Sequence, residues 1–319
     1  MRSPLPFRAG CLLLVVTLAL PGLQVQANTI DTAAWARDLL QASRQSDYHG
    51  TIMVMQGSLQ QAFSLWHDGD ENDFEERMRL LDGPAMELVR TPERVTCIHA
   101  PGSEVPEDHD IPASPFGSLQ HLDPQQVAAN YRLTAEGSDR LGDRIARIYS
   151  LESRHAPSRL THQIWVDEMT GVALRHSRFD ESGNLLEDVR FVQFEAGVGD
   201  VPRAIRSAFP EAFWHRFGQT AAGRDAGADQ VWQLDPVPAG FRREVEEQSN
   251  GDWYQLWSDG MVEFSLMVEP IVGAMPEPTM ERRGSTLLMS AVHGDWLVVL
   301  VGDVPESLAR QVLTDISWQ

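Results

Sequence analysis

Four side chains able to hold a metal ion stand in a row at 107–110: Glu107, Asp108, His109 and Asp110. A metal needs donors that converge, whereas adjacent residues among Pro101, Pro106, Pro112 and Pro115 splay apart into solvent. The stretch reads as a hydrated loop, and the sequence implies no resident metal or cofactor. Glu75-Glu76 and Glu187-Asp188 offer paired carboxylates, the raw material of acid–base catalysis. Both pairs sit in stretches alternating with period two, so their members point to opposite faces of a strand, make poor dyads and read as surface. His67-Asp68, His162 and His176 fall in similar stretches. Cys97, in RVTCIHA, shares a strand face with Val95 and reads as a small core residue rather than a nucleophile. GxSxG, HExxH, GxxxxGK[ST], GxGxxG and CxxC do not occur in the 319 residues. With these signatures missing, binding is a better reading than catalysis, and the chain is not expected to be an enzyme.

The elements that would position such residues begin after a leader. Arg2 and Arg8 precede an apolar run from Cys11 to Leu20, Pro21-Gly22 breaks it, and Val25-Gln26-Ala27 forms a small-residue cleavage site. The run is half of the ~20 residues a membrane-spanning helix needs. Cys11 stands at its start rather than after it, which excludes a lipoprotein modification site. The spacing predicts a signal peptide over 1–27, cleavage after Ala27 and a mature chain starting at Asn28. Cleavage removes Cys11 and leaves Cys97 alone, so no disulfide can form within the mature chain.

All 26 basic residues are arginine, set against 46 Asp and Glu for a net charge of −20. Loss of Arg2 and Arg8 makes the mature chain two units more negative. Such a surface repels nucleic acid and anionic lipid at long range, so no nucleic-acid partner is expected and both are disfavoured unless arginines cluster locally. The acidity and the lack of lysine fit either a salty habitat or genomic base composition.

Along the mature chain the period of the apolar residues changes twice. Asp31 can cap a helix in which Trp35, Leu39 and Ala42 recur on one face. After Gly50 alternation takes over in TIMVMQ, LQQAFSLWH, FEERMRL, AMELVR and ERVTCIHA, separated by short turns. Asp123-Pro124 starts a short helix to about Asn130, and strands resume through YRLTAEG, RIARIYSLE, THQIWVDE, GVALRHSRF and LLEDVRFVQFE. About ten antiparallel strands with one buried face should curl into an open half-barrel over 28–196. Trp66 and Trp165 are candidates for lining its cavity, though a two-sided core would place them as well. Residues 197–230 lose alternation and read as a linker with a short helical piece. Strand signals return over 231–319 and end in a helix after Asp303 with Pro305 in its first turn, which together make a smaller α+β domain.

Several stretches then resemble the RseB/MucB family: DYHGTIMVMQG, ERMRLLDGPAMELVR, RVTCIHAP, YRLTAEGSDRLGDRIARI, HQIWVDEMTGVALRHS, YQLWSDGMVEFSLMVE and RRGSTLLMSAVHGDWLVVLVGDVPE. They run in order from the first helix to the last. The resemblance implies a lipoprotein-carrier-like β domain followed by a small α+β domain. It implies a periplasmic negative regulator of an envelope-stress sigma factor that binds the periplasmic part of a membrane-spanning anti-sigma factor of the RseA/MucA kind. Binding there would hinder the first protease cut, and a lipid or lipopolysaccharide signal of envelope damage would relieve it. A carrier of acyl chains or lipoproteins is the alternative, and a homo-oligomer is compatible with either. The family brings no catalytic residues to transfer. Aromatic residues and arginines dominate interface energetics, which makes Trp253, Trp296, Arg282 and Arg283 the partner-binding candidates, with an ordinary core role as the competing reading for the tryptophans.

Overall fold

Asp31 sets the first element: its carboxylate accepts the Ala34 amide at 3.0 Å and starts helix α1, Thr32–Gln45, which buries Trp35, Ala36, Leu39 and Ser43. In this computed structural model the described residues are 30–70, 74–92, 94–99, 116–155, 159–197, 213–218, 232–249 and 251–318. The Ala27–Asn28 junction and the acidic stretch at 107–110 lie outside them.

Alternation after α1 becomes a meander, β1 (Tyr48–Gln56), β2 (Leu59–Gly69), β3 (Phe74–Leu80), β4 (Met86–Thr91) and β5 (Arg94–His99). Helix α2, Pro124–Asn130, follows, with the Asp123 carboxylate accepting the amides of Gln125 and Gln126. Five more strands complete the run: β6 (Tyr131–Leu141), β7 (Arg144–Ser153), β8 (Thr161–Asp167), β9 (Ala173–Phe179) and β10 (Leu185–Ala196). β1 pairs with β10, and the order β11-β5-β4-β3-β2-β1-β10-β9-β8-β7-β6 leaves β6 and β11 as free edges of one open antiparallel sheet. Strand β11 is Phe213–Gly218, antiparallel to β5. It falls inside the stretch read from sequence as a linker with a helical piece. The β-forming residues of FWHRFG answer the unpaired edge of β5, a tertiary demand that local composition did not announce.

One face of the sheet carries Ile52, Phe63, Leu65, Met78, Leu88, Cys97, Ile164 and Phe191, all buried. Helix α1 and the 3-10 turn at Gly117–Gln120 close over it: Trp35 meets the Tyr149 ring at 5.4 Å and Phe116 stacks on Phe191 at 5.5 Å. Gly50 on β1 faces β10, and a Cβ there would stand 2.1 Å from the Gln193 carbonyl oxygen, which is backbone and cannot swing aside. Gly50→Ala should therefore destabilise the large domain by about 1–3 kcal/mol, measured by urea unfolding.

The remaining strands build a second unit. β13 (Arg242–Ser249), β14 (Asp252–Ser258), β15 (Glu263–Pro270), β16 (Met280–Arg283), β17 (Thr286–His293) and β18 (Trp296–Gly302) form a six-stranded sheet in the order β13-β14-β15-β18-β17-β16. Helix α3, Glu306–Thr314, buries Leu308, Ala309, Val312 and Leu313. Pro305 is the cap of α3 rather than part of its first turn; its extended backbone, with ψ at 157°, feeds the helix from outside. β12 (Trp232–Leu234) pairs with β19 (Ile316–Trp318), so the two ends of the unit are tied together.

Candidate functional site

The chemistry-bearing residues gather where the two units meet. The β9–β10 pairing sets Arg178 opposite Glu187, and the guanidinium reaches on from Glu187 to the second unit. Nη1 donates to Glu187 Oε1 and, at 2.9 Å, to Ser285 Oγ, while Nη2 donates to Ser118 Oγ at 3.0 Å. Asp303 lies 3.7 Å from Nη1 and accepts the Thr286 hydroxyl at 2.7 Å. Burial opposes the charge on Arg178, but Glu187 and Asp303 outweigh it and hold the guanidinium above its ordinary pKa.

Asp259, in the turn after β14, is fully buried and anchors the other end. Its Oδ1 accepts the amides of Met261 and Val262, and its Oδ2 accepts the Tyr131 hydroxyl and Arg159 Nε, each at 2.9 Å. Arg159 also donates to the Ala239 carbonyl and lies over the Phe241 ring at 4.5 Å. Asn130, the last residue of α2, donates to the carbonyls of Gly240 and Asp259 at 3.1 and 2.8 Å. Burial and then the neighbouring Asp259 push the Tyr131 phenol well above its usual pKa, so it stays a hydrogen-bond donor.

Between these anchors lies a cavity of ≈ 360 Å³. The large domain contributes Val54, Val189, Arg90, His121 and Arg178; the small one contributes Met261, Phe264, Val301 and Asp303. Arg90 packs over the Phe74 ring at 5.1 Å, 3.8 Å from Glu76, and its Nη2 has no hydrogen-bond partner. Burial, with help from Arg90 and Arg44, lowers the His121 pKa to about 4, so the imidazole is neutral at pH 7. Apolar walls with fixed charges of both signs suit an amphipathic occupant. Of the lining carboxylates, Glu187 and Asp303 are engaged by Arg178, which holds charge in place rather than passing protons along, while burial and the neighbouring Glu244, Asp303 and Asp259 raise the pKa of Glu263.

The structure separates the residues singled out from sequence. Trp66 is in register with His49 and Arg77, on the face opposite Phe63 and Leu65 and away from α1. Trp165 is buried beneath Arg175, 4.4 Å from its guanidinium, on the face opposite Ile164. Neither lines the cavity at the junction. Trp253 is core, 2 % exposed, whereas Trp296 is half-buried and stacks with Trp318 at 5.9 Å. Arg282 donates to the carbonyls of Ser285 and Val304 inside its own domain, while Arg283 is exposed beside Glu281. The carboxylate pairs do point to opposite faces, but Glu76, Glu187 and Asp188 are buried, a correction to the surface reading. Glu187 meets Arg178, and Asp188 meets Arg175 and Ser177. Their partners lie 9 to 13 residues away across a hairpin, so strand register, not local pattern, decides their burial. Arg159 and Asp259 carried no sequence signal at all.

An open antiparallel sheet closed by helices, docked on a small α+β unit around an amphipathic cavity, defines a two-domain binding protein. The chain belongs to the MucB/RseB family: the MucB/RseB N-terminal domain matches residues 31–212 and the MucB/RseB C-terminal domain matches 226–317. It is 26 % identical to the sigma factor AlgU regulatory protein MucB of Pseudomonas aeruginosa, over 96 % of this chain and 95 % of that one. It is 22 % identical to the sigma-E factor regulatory protein RseB of Escherichia coli K12, over 75 % of each. The solved complex of Pseudomonas aeruginosa MucA and MucB superposes with a TM-score of 0.68 at 25 % identity, covering 91 % of this chain and 99 % of that one. Its relatives are thus named regulators of sigma factors, and the related MucB is seen bound to MucA. Among the described residues no helix is long and apolar enough to cross a membrane.

Proposed function

We propose that this chain is a periplasmic regulator that binds the periplasmic part of a membrane-spanning anti-sigma factor, shields it from the first proteolytic cut and so restrains an envelope-stress sigma factor. The likeness to MucA-bound MucB across nine-tenths of the chain carries this reading, because both family domains are present in this chain. Export by cleavage after Ala27 supplies the compartment. The chain acts by binding, with no catalytic step of its own. An acyl or lipopolysaccharide-like ligand that enters the amphipathic cavity relieves the restraint. The alternative, a plain acyl-chain carrier, is supported by the same apolar walls but leaves the second domain without a task.

The test is calorimetric titration of residues 28–319 with the periplasmic segment of the host's own anti-sigma factor, followed by a protection assay with the site-1 protease. Saturable binding that slows cleavage supports regulation; lipid binding with no affinity for that segment favours the carrier. Arg282 and Arg283 should behave differently. Arg282→Ala strips donors from two backbone carbonyls and should cost about 1–3 kcal/mol in chemical denaturation. Arg283→Ala should leave stability within about 0.5 kcal/mol and weaken the anti-sigma segment several-fold; unchanged affinity in that folded variant would place the contact elsewhere.

A further inference from the structure

Three glycines of the small domain press their backbone against the large one. Gly240, Gly260 and Gly284 have φ of +87°, +94° and +57°. A Cβ on them would stand 2.5 Å from Asn130 Oδ1, 2.5 Å from Gln126 Cβ and 2.8 Å from Gln56 Cγ. Each lies in a different turn, so the two units fit closely at three separate points. Polar pairs also span the join: Arg159 with Asp259, Arg178 with Ser285 and Asp303, Arg242 with Asp123 at 2.8 Å, and Ser307 with Glu181. Apolar packing is shared as well, since the buried hydrophobic residues of the two units form one cluster.

Such a join has an unusual energy balance. Buried ions stabilise little beyond the cost of drying them, and separation returns both partners to water. Close steric fit gives the docked state one geometry without making it permanent, as in polar interdomain interfaces generally. Arg178 Nε and Arg90 Nη2, buried at the cavity without hydrogen-bond partners, would gain partners from water on opening.

We infer that the small domain is latched reversibly onto the large one, that the Arg159–Asp259–Tyr131 cluster is the pin, and that release of the pin opens the cavity and changes affinity for the anti-sigma segment. The coupling to the anti-sigma segment rests on the function proposed above; the latch itself does not. Arg159, Asp259 and Tyr131 are positioning residues, acting through the domain arrangement.

The test uses the mature chain with Gln56→Cys and Gly284→Cys, and the labelling of this pair alone is the baseline, because a Cβ at 284 also stands 2.8 Å from Glu187 Oε2. The glycine's Cβ position lies 3.2 Å from Gln56 Cβ, close enough to the ~3.5–4.5 Å of disulfides to bridge with a small shift. Buried Cys97 is the unreactive internal reference. In this background Arg159→Met, and Tyr131→Phe as a milder variant in case the first fails to fold, should raise maleimide labelling of the reduced pair at least tenfold. The X-ray scattering radius should increase while circular dichroism is unchanged. Equal labelling and scattering in the folded variants would overturn the latch. Oxidising the pair should then shift anti-sigma affinity at least tenfold, reversed by reductant. An opening latch with unshifted affinity would overturn the coupling. Absence of anti-sigma binding in every form would refute the proposed function and leave the latch standing on the labelling data.

Discussion

Trp232→Ala should unfold the small domain while the large one keeps its protection against hydrogen exchange. Trp232 is the largest fully buried side chain described, with no exposed surface, on strand β12. Its pairing with Trp318 ties the start of the unit to its end. Truncation removes the indole's burial and leaves a void that flanking strands cannot fill without breaking the β12–β19 pair, a cost of about 3–5 kcal/mol. That is a large part of what a domain of this size possesses. Hydrogen exchange read by mass spectrometry should show β12 through β19 losing protection together, with β1 to β10 retaining theirs. Simultaneous loss in both units would mean they fold as one cooperative body. Since the relatives' regulatory names cover both family domains, the variant should also lose affinity for the anti-sigma segment.

The sequence announced the elements better than their meeting place. Caps were legible because the signal is local: Asp31 and Asp123 each accept an amide within three residues. Strands were legible because alternation reports burial of one face, and the open, curled sheet followed from counting them. Three things were not legible, and each depends on register or docking. Strand β11 exists because β5 offers an edge. Glu187 is buried because Arg178 stands across a hairpin from it. The 100-residue separation of Arg159 and Asp259 is closed only when the two domains come together. Gly240, Gly260 and Gly284 looked like ordinary turn glycines, and only the neighbouring surface shows why a side chain there would intrude. Trp66 and Trp165 lie on the face away from Phe63, Leu65 and Ile164 for a related reason: alternation puts apolar residues on two faces without saying which one α1 will cover.

Acid should weaken the large domain well before its carboxylates titrate. His162 and His176, in β8 and β9, are fully buried with Nδ1 of the first 3.0 Å from Nε2 of the second. Burial, then the nearby Arg178, brings His162 down to about 3 from an ordinary 6.5; His176 is lowered by burial, by Arg178 and by His162. The His162 ring is therefore neutral in the folded chain at any pH above about 4, and the His176 ring stays neutral well below its ordinary range, while in the unfolded chain both gain protons below about 6.5. The unfolded state then binds more protons, so stability is full above pH 6.5 and falls as pH drops toward the folded values. For His162 each pH unit below 6.5 costs about 1.4 kcal/mol, hence about 2 kcal/mol at pH 5, and His176 adds to the decline in the same direction. His67 is also lowered, chiefly by burial, and steepens the same window. Urea unfolding between pH 7.5 and 5 should show the decline, and His162→Gln, which keeps a neutral hydrogen-bonding group beside His176, should reduce the slope by about one proton. A flat profile over that range would mean the histidines accept protons inside the fold, and a variant as steep as the parent would assign the decline to other groups.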